Sequence, residues 1–122
     1  MKIRINGNRL RLRLSKSEVA KVVKDGEVSD QCLIFGTTLT YRLISHRESV
    51  MYARFVHNTI TVYAPKHFFE EWDTDDRVGF DGYDTNGLYI LVEKDFQCLS
   101  SHRDEDESDL YPNPDDKGSE HL

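Results

Sequence analysis

Three arginines near the start of the chain are the residues best suited to recognition chemistry. Segment 9–14 reads Arg-Leu-Arg-Leu-Arg-Leu, and the side chains of a β-strand alternate between its two faces. Arg9, Arg11 and Arg13 are therefore predicted to share an outer face, with the leucines in the core. A guanidinium is a planar fork that pairs with both oxygens of a carboxylate or phosphate. The pattern predicts a ligand-binding face for an acidic protein partner or a small anion.

Two plainer interpretations of this face stay open. In the first, the arginines point into solvent opposite carboxylates of neighbouring strands, in pairs worth about 0.2–1 kcal/mol each. In the second, the strand lies at a sheet edge and is the seam of a homodimer. Lys2 and Arg4 alternate with Ile3 and Ile5 and would enlarge the basic face if their segment lies beside it. Whether the face is concave, open or covered by a subunit decides between these interpretations.

An enzyme would need a general acid or base close to these arginines. The strand segments offer only Glu93 and His57 for that role. The alternative function is therefore a small enzyme acting on a phosphorylated or carboxylated substrate, with Arg11 or Arg13 holding the anion. The chain has no Gly-x-Ser-x-Gly nucleophile turn and no phosphate-binding glycine loop. The sequence favours a binding module and assigns no catalytic residue.

Metal and cofactor motifs are incomplete. A calcium-binding loop that opens at Asp73 would need an oxygen ligand at its fifth position and glycine at its sixth, which are Arg77 and Val78. Cys98 and His102 are four residues apart, but a structural zinc site has four ligands at stricter spacing. No metal ligand and no cofactor is predicted.

Charge is distributed unevenly along the 122 residues, whose net charge is −6. Residues 1–24 hold eight basic residues and one acidic residue, a net charge of +7. Residues 25–94 carry −6 and residues 95–122 carry −7. The negative total disfavours a general nucleic-acid binder. The basic head and acidic tail are expected to meet each other, a second copy of the chain, or separate partners.

A short helix is predicted after the arginine strand. Ser15 and Glu18 have the spacing of a capping box, in which each side chain bonds the backbone of the other residue. Gly26 is placed to end the helix. The stripe expected to face the core consists of Val19, Val22 and Val23.

The rest of the chain to residue 99 has mainly strand patterns. His57-Asn58 and Asn86-Gly87 are typical of tight hairpin turns. Residues 65–72 can open a second short helix, because proline suits its first position. We predict an α+β fold with a mainly antiparallel sheet or small barrel of about six or seven strands, one short N-terminal helix and one further short helix.

The composition changes near residue 100. Residues 100–122 contain an acidic run at 104–107, two prolines and few apolar side chains. Such a segment buries too little apolar surface to offset an ordering cost of about 1–2 kcal/mol per residue. The prediction is a single domain over 1–99 and a flexible acidic tail over 100–122, whose one apolar element is Leu110-Tyr111-Pro112.

Two features of the sequence bear on the compartment. No run of apolar residues is long enough for a membrane span, and the N-terminal residues lack the apolar core of a signal peptide. The two cysteines, Cys32 and Cys98, do not make a disulfide framework. These features predict a cytoplasmic protein with reduced thiols and no membrane partner.

Both ends of the chain carry short distinctive motifs. They are Met1-Lys2-Ile3-Arg4, the Arg-Leu repeat of 9–14, Ser17-Glu18-Val19, Glu93-Lys94-Asp95-Phe96-Gln97-Cys98-Leu99 and, after an acidic run, Tyr111-Pro112-Asn113-Pro114. Together they resemble a small bacterial family of uncharacterised single-domain proteins. The resemblance spans nearly the whole chain. It implies a recurrent single-domain unit and, since that family has no known activity, supplies no catalytic residue.

Overall fold

The computed structural model describes residues 1–97 and 107–113, which form eight strands and one α-helix. In chain order the elements are β1 (Lys2–Ile5), β2 (Arg9–Leu14), α1 (Lys16–Asp25), β3 (Glu27–Ile34), β4 (Thr37–His46), β5 (Tyr52–Val56), β6 (Thr59–Pro65), a 3₁₀ turn (Lys66–Phe69), β7 (Gly79–Tyr83) and β8 (Tyr89–Lys94).

The strands form two four-stranded sheets built on one pattern. The first sheet has the order β1-β2-β8-β7 and the second has the order β3-β4-β6-β5. Each sheet consists of two antiparallel hairpins, and the second strands of these hairpins pair in parallel at its centre. The same arrangement therefore occurs twice within the described residues.

This architecture corrects part of the predicted fold. An α+β class describes it loosely, but the described strands number eight rather than six or seven and form two mixed sheets that do not close into a barrel. The sequence patterns indicate hairpins, and four of the six strand pairings are indeed antiparallel. The two parallel pairings join separate hairpins, so no turn residue signals them.

One hydrophobic core joins the two sheets. Leu10, Leu12 and Leu14 of β2 are buried in it, as the alternation in their strand predicts. Leu43 of β4 and Val62 of β6 come from the second sheet and are fully buried in the same cluster. The arginine strand is therefore anchored along its whole inner face, which fixes its outer face in position.

The predicted first helix is confirmed as α1. Ser15 caps it by accepting from the Glu18 amide, and the Glu18 carboxylate accepts in return from the Ser15 amide, 2.9 Å away. Gly26 ends the helix with a φ of 83°, in the left-handed region that glycine adopts without strain. Val19 and Val22 are buried.

The predicted second helix over 65–72 is wrong in length, because only the 3₁₀ turn Lys66–Phe69 forms. The backbone is outside the helical region at Glu71, whose φ is 60°. The Arg77 guanidinium donates to the carbonyls of Phe68 and Glu70, each at 2.8 Å, and so pairs acceptors that a longer helix would use internally.

Part of the predicted acidic tail lies against the domain. The carbonyl of Asp109 accepts from the amide of Lys16 at the start of α1, at 2.8 Å. Leu110 is 8% exposed and is therefore buried. The amide of Tyr111 donates to the carbonyl of Asp95 at 2.9 Å. Residues 107–113, the docked segment, thus belong to the folded part, whereas residues 98–106 and 114–122 of the predicted tail lie outside the described residues.

We expect Leu110→Ala to release the docked segment at a cost of about 1–2 kcal/mol. A buried leucine-to-alanine change can cost more, but this segment can detach without unfolding the sheets, so the loss is limited to its docking free energy. Hydrogen exchange checks this: the Tyr111 amide should exchange faster and the Leu12 amide of β2 should not. Equal acceleration at both amides would show that the segment and the domain unfold together.

No helix among the described residues is long and apolar enough to cross a membrane.

Candidate anion-binding face

The outer face of the first sheet collects the basic residues of β1 and β2. The register places Lys2 opposite Arg13 and Arg4 opposite Arg11. Arg9 follows on the same side of β2. All five basic side chains therefore lie on one surface, and the contribution of β1 follows from its antiparallel pairing with β2.

Strand β8 borders the arginines on the other side. Its register sets Tyr89 beside Arg9, Leu91 beside Arg11 and Glu93 beside Arg13, each on the next strand. Because β2 is paired on both sides, it has no free edge among the described strands. The expectation that the arginine strand lies at a sheet edge is therefore wrong, whereas a homodimer stays a prediction.

Carboxylates neutralise one end of the face. Glu93 Oε1 lies 2.8 Å from Arg13 Nε and 3.6 Å from Arg11 Nη1. Lys2 Nζ lies 2.9 Å from Asp95 Oδ2. The interpretation of the arginines as a solvent face paired with neighbouring carboxylates therefore describes Arg13 well.

The other end of the face keeps its positive charge. Neither Arg4 nor Arg9 forms an ion pair with any residue in 1–97 or 107–113. Arg9 instead stacks its guanidinium over the ring of Tyr89, with 4.5 Å between the guanidinium carbon and the ring centroid. These two arginines, with Arg11, line an open concavity of about 260 Å³ whose lining also includes Leu91.

Tyr89 is itself held in place. Its hydroxyl donates to Asp81 Oδ2 of β7 at 2.7 Å. This hydrogen bond, with burial as the second cause, raises the pKa of Tyr89 above its ordinary value of 10.0. The phenol is therefore neutral at physiological pH, and its ring presents a fixed support to Arg9.

The two residues that the sequence offered as general acid or base are separated by the fold. Glu93 reaches the arginines, but the oxygen nearest them, Oε1, contacts both Arg11 and Arg13. His57 lies in the turn between β5 and β6, in the second sheet. The structure therefore brings Glu93 to the arginines and does not bring His57.

Sequence reasoning missed Tyr89 and Leu91. Both belong to the face only because β8 pairs in parallel with β2 across a separation of about eighty residues. Their alternation with Ile90 and Val92 was a signal that they face outward from a strand, but it did not indicate which strand lies next to them.

Metal-ligating side chains are not grouped in the part of the chain that the structure describes. Residues 1–97 and 107–113 hold no cluster of three or more His, Cys, Asp or Glu side chains able to bind a metal ion. The face itself presents four guanidiniums, the Lys2 ammonium, the ion-paired carboxylates of Glu93 and Asp95, and a tyrosine.

These features define the class of protein: a small α+β domain of two mixed sheets, with a basic concavity on the outer face of one of them. The chain belongs to DUF7009, a family of unknown function, whose match covers residues 1–115. The resemblance to a family of uncharacterised proteins is thus confirmed. The match extends through the docked segment. Comparisons with curated proteins and with solved structures gave no match.

Proposed function

We propose that this domain is a cytoplasmic binding module that holds a carboxylate or phosphate group of an acidic protein or small ligand at Arg4, Arg9 and Arg11. The observation that carries the proposal is the pair of guanidiniums, Arg4 and Arg9, that line one concavity without an ion-pair partner among the described residues. An anion placed there gains charge-assisted hydrogen bonds and costs no internal ion pair.

The support beneath Arg9 favours binding. A long side chain normally loses rotamer freedom when it grips a ligand, at about 0.5–1.5 kcal/mol. The stack on Tyr89, together with the hydrogen bond from Tyr89 to Asp81, orders Arg9 before any ligand arrives. That preorganisation lowers the cost of binding.

The position of Glu93 makes the end of the face at Arg4 and Arg9 the more favourable place for an anion. The Glu93 carboxylate already neutralises Arg13, and its negative charge would repel an anion that approaches Arg13. The anion is therefore expected between Arg4, Arg9 and the free side of Arg11. The concavity, at about 260 Å³, is smaller than the usual site for a drug-sized ligand. We expect it to hold one anionic group while the rest of the ligand lies across Leu91.

We expect Arg9→Gln to weaken binding of a hexaglutamate peptide about tenfold or more. A charge-assisted hydrogen bond contributes about 1.5–3 kcal/mol, and each 1.4 kcal/mol is a factor of ten. Calorimetric titration at low salt measures the effect, with inorganic phosphate as a second probe that separates a small anion from an acidic peptide. Affinity should fall as salt is added, because the site is open to solvent.

Arg42→Gln is the matched control. Arg42 is also a strand arginine, but it lies in the second sheet and pairs with Glu27 at 3.0 Å. The change removes the same charge away from the concavity and should leave affinity within about twofold, as a rough allowance for long-range charge effects. Equal losses from Arg9→Gln and Arg42→Gln would show that net charge governs binding and would contradict the proposed site.

A further inference from the structure

The hairpin of β3 and β4 extends beyond its sheet. β3 pairs with β4 along its full length, but β4 pairs with β6 only from Thr40 onward. Residues 32–39, here called the arm, are therefore a two-stranded projection with no third strand beside them among the described strands. Phe35 and Gly36 make its turn, with φ angles of 45° and 82°.

The arm is apolar and exposed on both of its faces. Leu33 and Ile34 are adjacent in β3 and so point to opposite faces, yet their exposed fractions are 73% and 55%. Phe35 at the tip is fully exposed. No charged residue occurs from Gln31 to Tyr41. Exposed apolar side chains grouped in this way mark an interaction surface.

The backbone of the arm also has a free edge. β3 is an outer strand of its sheet and pairs only with β4 among the described strands. Proteins usually protect such edges with charged side chains, proline or a bulge. The segment Gln31–Ile34 has neither a charged residue nor a proline, and its register with Thr37–Thr40 is continuous.

We propose that the arm docks on the arm of a second copy of this chain, with the two β3 edges pairing antiparallel about a twofold axis. A partner strand satisfies the free amides and carbonyls and covers the apolar side chains at the same time. A second arm is such a strand, because it has the same free edge and the same uncharged surface. Contacts related by a twofold axis close into a dimer and do not propagate.

A lipid surface fits the arm less well. Immersed in hydrocarbon, the backbone groups on the free edge of Cys32–Ile34 would have no hydrogen-bond partner. The arm also has no lysine or arginine to bind anionic headgroups. Beside the turn, Ile34, Leu39 and Asn58 border an open concavity of about 380 Å³, which gives an apolar side chain of a partner arm a place to pack.

Sedimentation velocity over a range of concentrations tests the proposal on the full chain. We expect the wild-type chain to dimerise, and we expect Leu33→Lys and Phe35→Asn each to weaken the dimer at least tenfold. Leu33→Lys introduces like charges across the paired edges. Phe35→Asn removes the apolar tip but keeps the hairpin, because Asn-Gly is a favoured turn with positive φ at both positions.

Phe55→Thr is the matched control for the arm. Phe55 is 69% exposed and lies on β5, the opposite outer strand of the same sheet. Its substitution should leave the dimer unchanged. In a Cys98→Ser background, a short bis-maleimide should join Cys32 of two copies, since Cys32 is exposed and lies in the paired segment.

Three results would overturn the proposal. One is a wild-type chain that stays monomeric at every concentration. Another is a dimer that survives both arm substitutions, which would place the interface elsewhere. The third is a monomer that co-sediments with phosphatidylcholine vesicles and loses this binding in Phe35→Asn, which would assign the arm to lipid.

Discussion

Gly79→Ala is expected to destabilise the domain by roughly 3 kcal/mol or more, because the added methyl group has no space. A Cβ at Gly79 would lie 2.0 Å from the carbonyl oxygen of Val92 and 2.7 Å from the Cα of Glu93. Both atoms belong to the backbone of β8, so no side-chain rotation relieves the overlap. β7 would have to move away from β8.

Moving β7 disturbs both faces of the first sheet. On the inner side, Phe80 packs on Trp72 and Phe69 with ring-centroid distances of 5.0 and 5.2 Å. On the outer side, Asp81 holds the hydroxyl of Tyr89, which supports Arg9. The substitution should therefore reduce the proposed anion affinity of this face as well as the stability of the domain.

Urea unfolding of Gly79→Ala and of Gly82→Ala compares the same substitution at two positions of β7. The three atoms nearest to a Cβ at Gly82 would all belong to the side chain of Met51, with the sulfur at 3.3 Å. We expect Gly82→Ala to change the free energy of unfolding by less than about 1 kcal/mol. Equal costs for the two variants would show that the loss comes from glycine's general role in the strand and not from the contact with β8.

An N-terminal extension that turns the Met1 ammonium into an amide is expected to cost about 2–3 kcal/mol near neutral pH. The ammonium is fully buried and donates to Glu18 of α1 and to Asp30 of β3. Removing one partner of a buried ion pair costs about 3–5 kcal/mol, and the partial exposure of both carboxylates reduces this figure. The Met1 carbonyl also accepts from the Tyr41 hydroxyl at 2.8 Å, so Met1 joins α1 to the second sheet.

The same contacts give this cost a defined pH dependence. Burial alone would lower the pKa of the Met1 amine, but hydrogen bonds to Asp30 and Glu18 and their negative charges raise it above 8.0. The contribution of the amine to the free energy of unfolding is therefore complete below pH 8.0, and it is lost as the pH rises through the pKa that the amine has in the folded state.

The pKa of Asp30 sets the lower pH limit of the stabilisation by this ion pair. Burial alone would raise its pKa, but the hydrogen bonds from the Met1 ammonium and the Gln31 amide hold the pKa below 3.8. Its contribution is present above pH 3.8 and is lost as pH falls through the folded-state pKa. The difference in stability between the 122-residue chain and the extended chain should thus be largest between these two pH limits.

Chemical unfolding of the 122-residue chain and of the extended chain from pH 3 to pH 10 measures this difference. The same residues added at the C-terminus are the matched control and should have no effect of this size. A loss of stability that stays constant through pH 8–10 would show that the extension destabilises the domain by its steric size and not by removing the ammonium charge.

Local features of the fold could be predicted from the sequence. The capping box of Ser15 and Glu18 and the stop at Gly26 act within a few residues, and α1 forms as they indicate. The turn His57-Asn58 joins β5 to β6 with positive φ at both residues. In these places the physical cause lies beside its effect in the chain.

The candidate site could be predicted only in part. The alternation of residues 9–14 indicates a shared arginine face, but it does not indicate that Glu93 neutralises Arg13 while Arg9 stacks on Tyr89. Those contacts depend on which hairpins associate, and hydrophobic patterns specify buried faces without specifying neighbours. The docking of residues 107–113 could not be predicted for a related reason: Leu110 is recognisable as part of an apolar element, but the pattern does not indicate which surface of the domain buries it.

The strands of the second sheet lie in the sequence between the two hairpins of the first sheet, and this order has a consequence for folding. The second sheet is formed by one continuous stretch, residues 27–65, whereas the first sheet joins strands from both sides of that stretch. Its central ion pair, Arg13 with Glu93, links residues that are 80 positions apart. Closing so long a loop lowers the entropy of the chain before the contacts that stabilise the closed loop can form. The inserted sheet shortens the effective distance, so we expect the basic face to form after the second sheet, which contributes none of its residues.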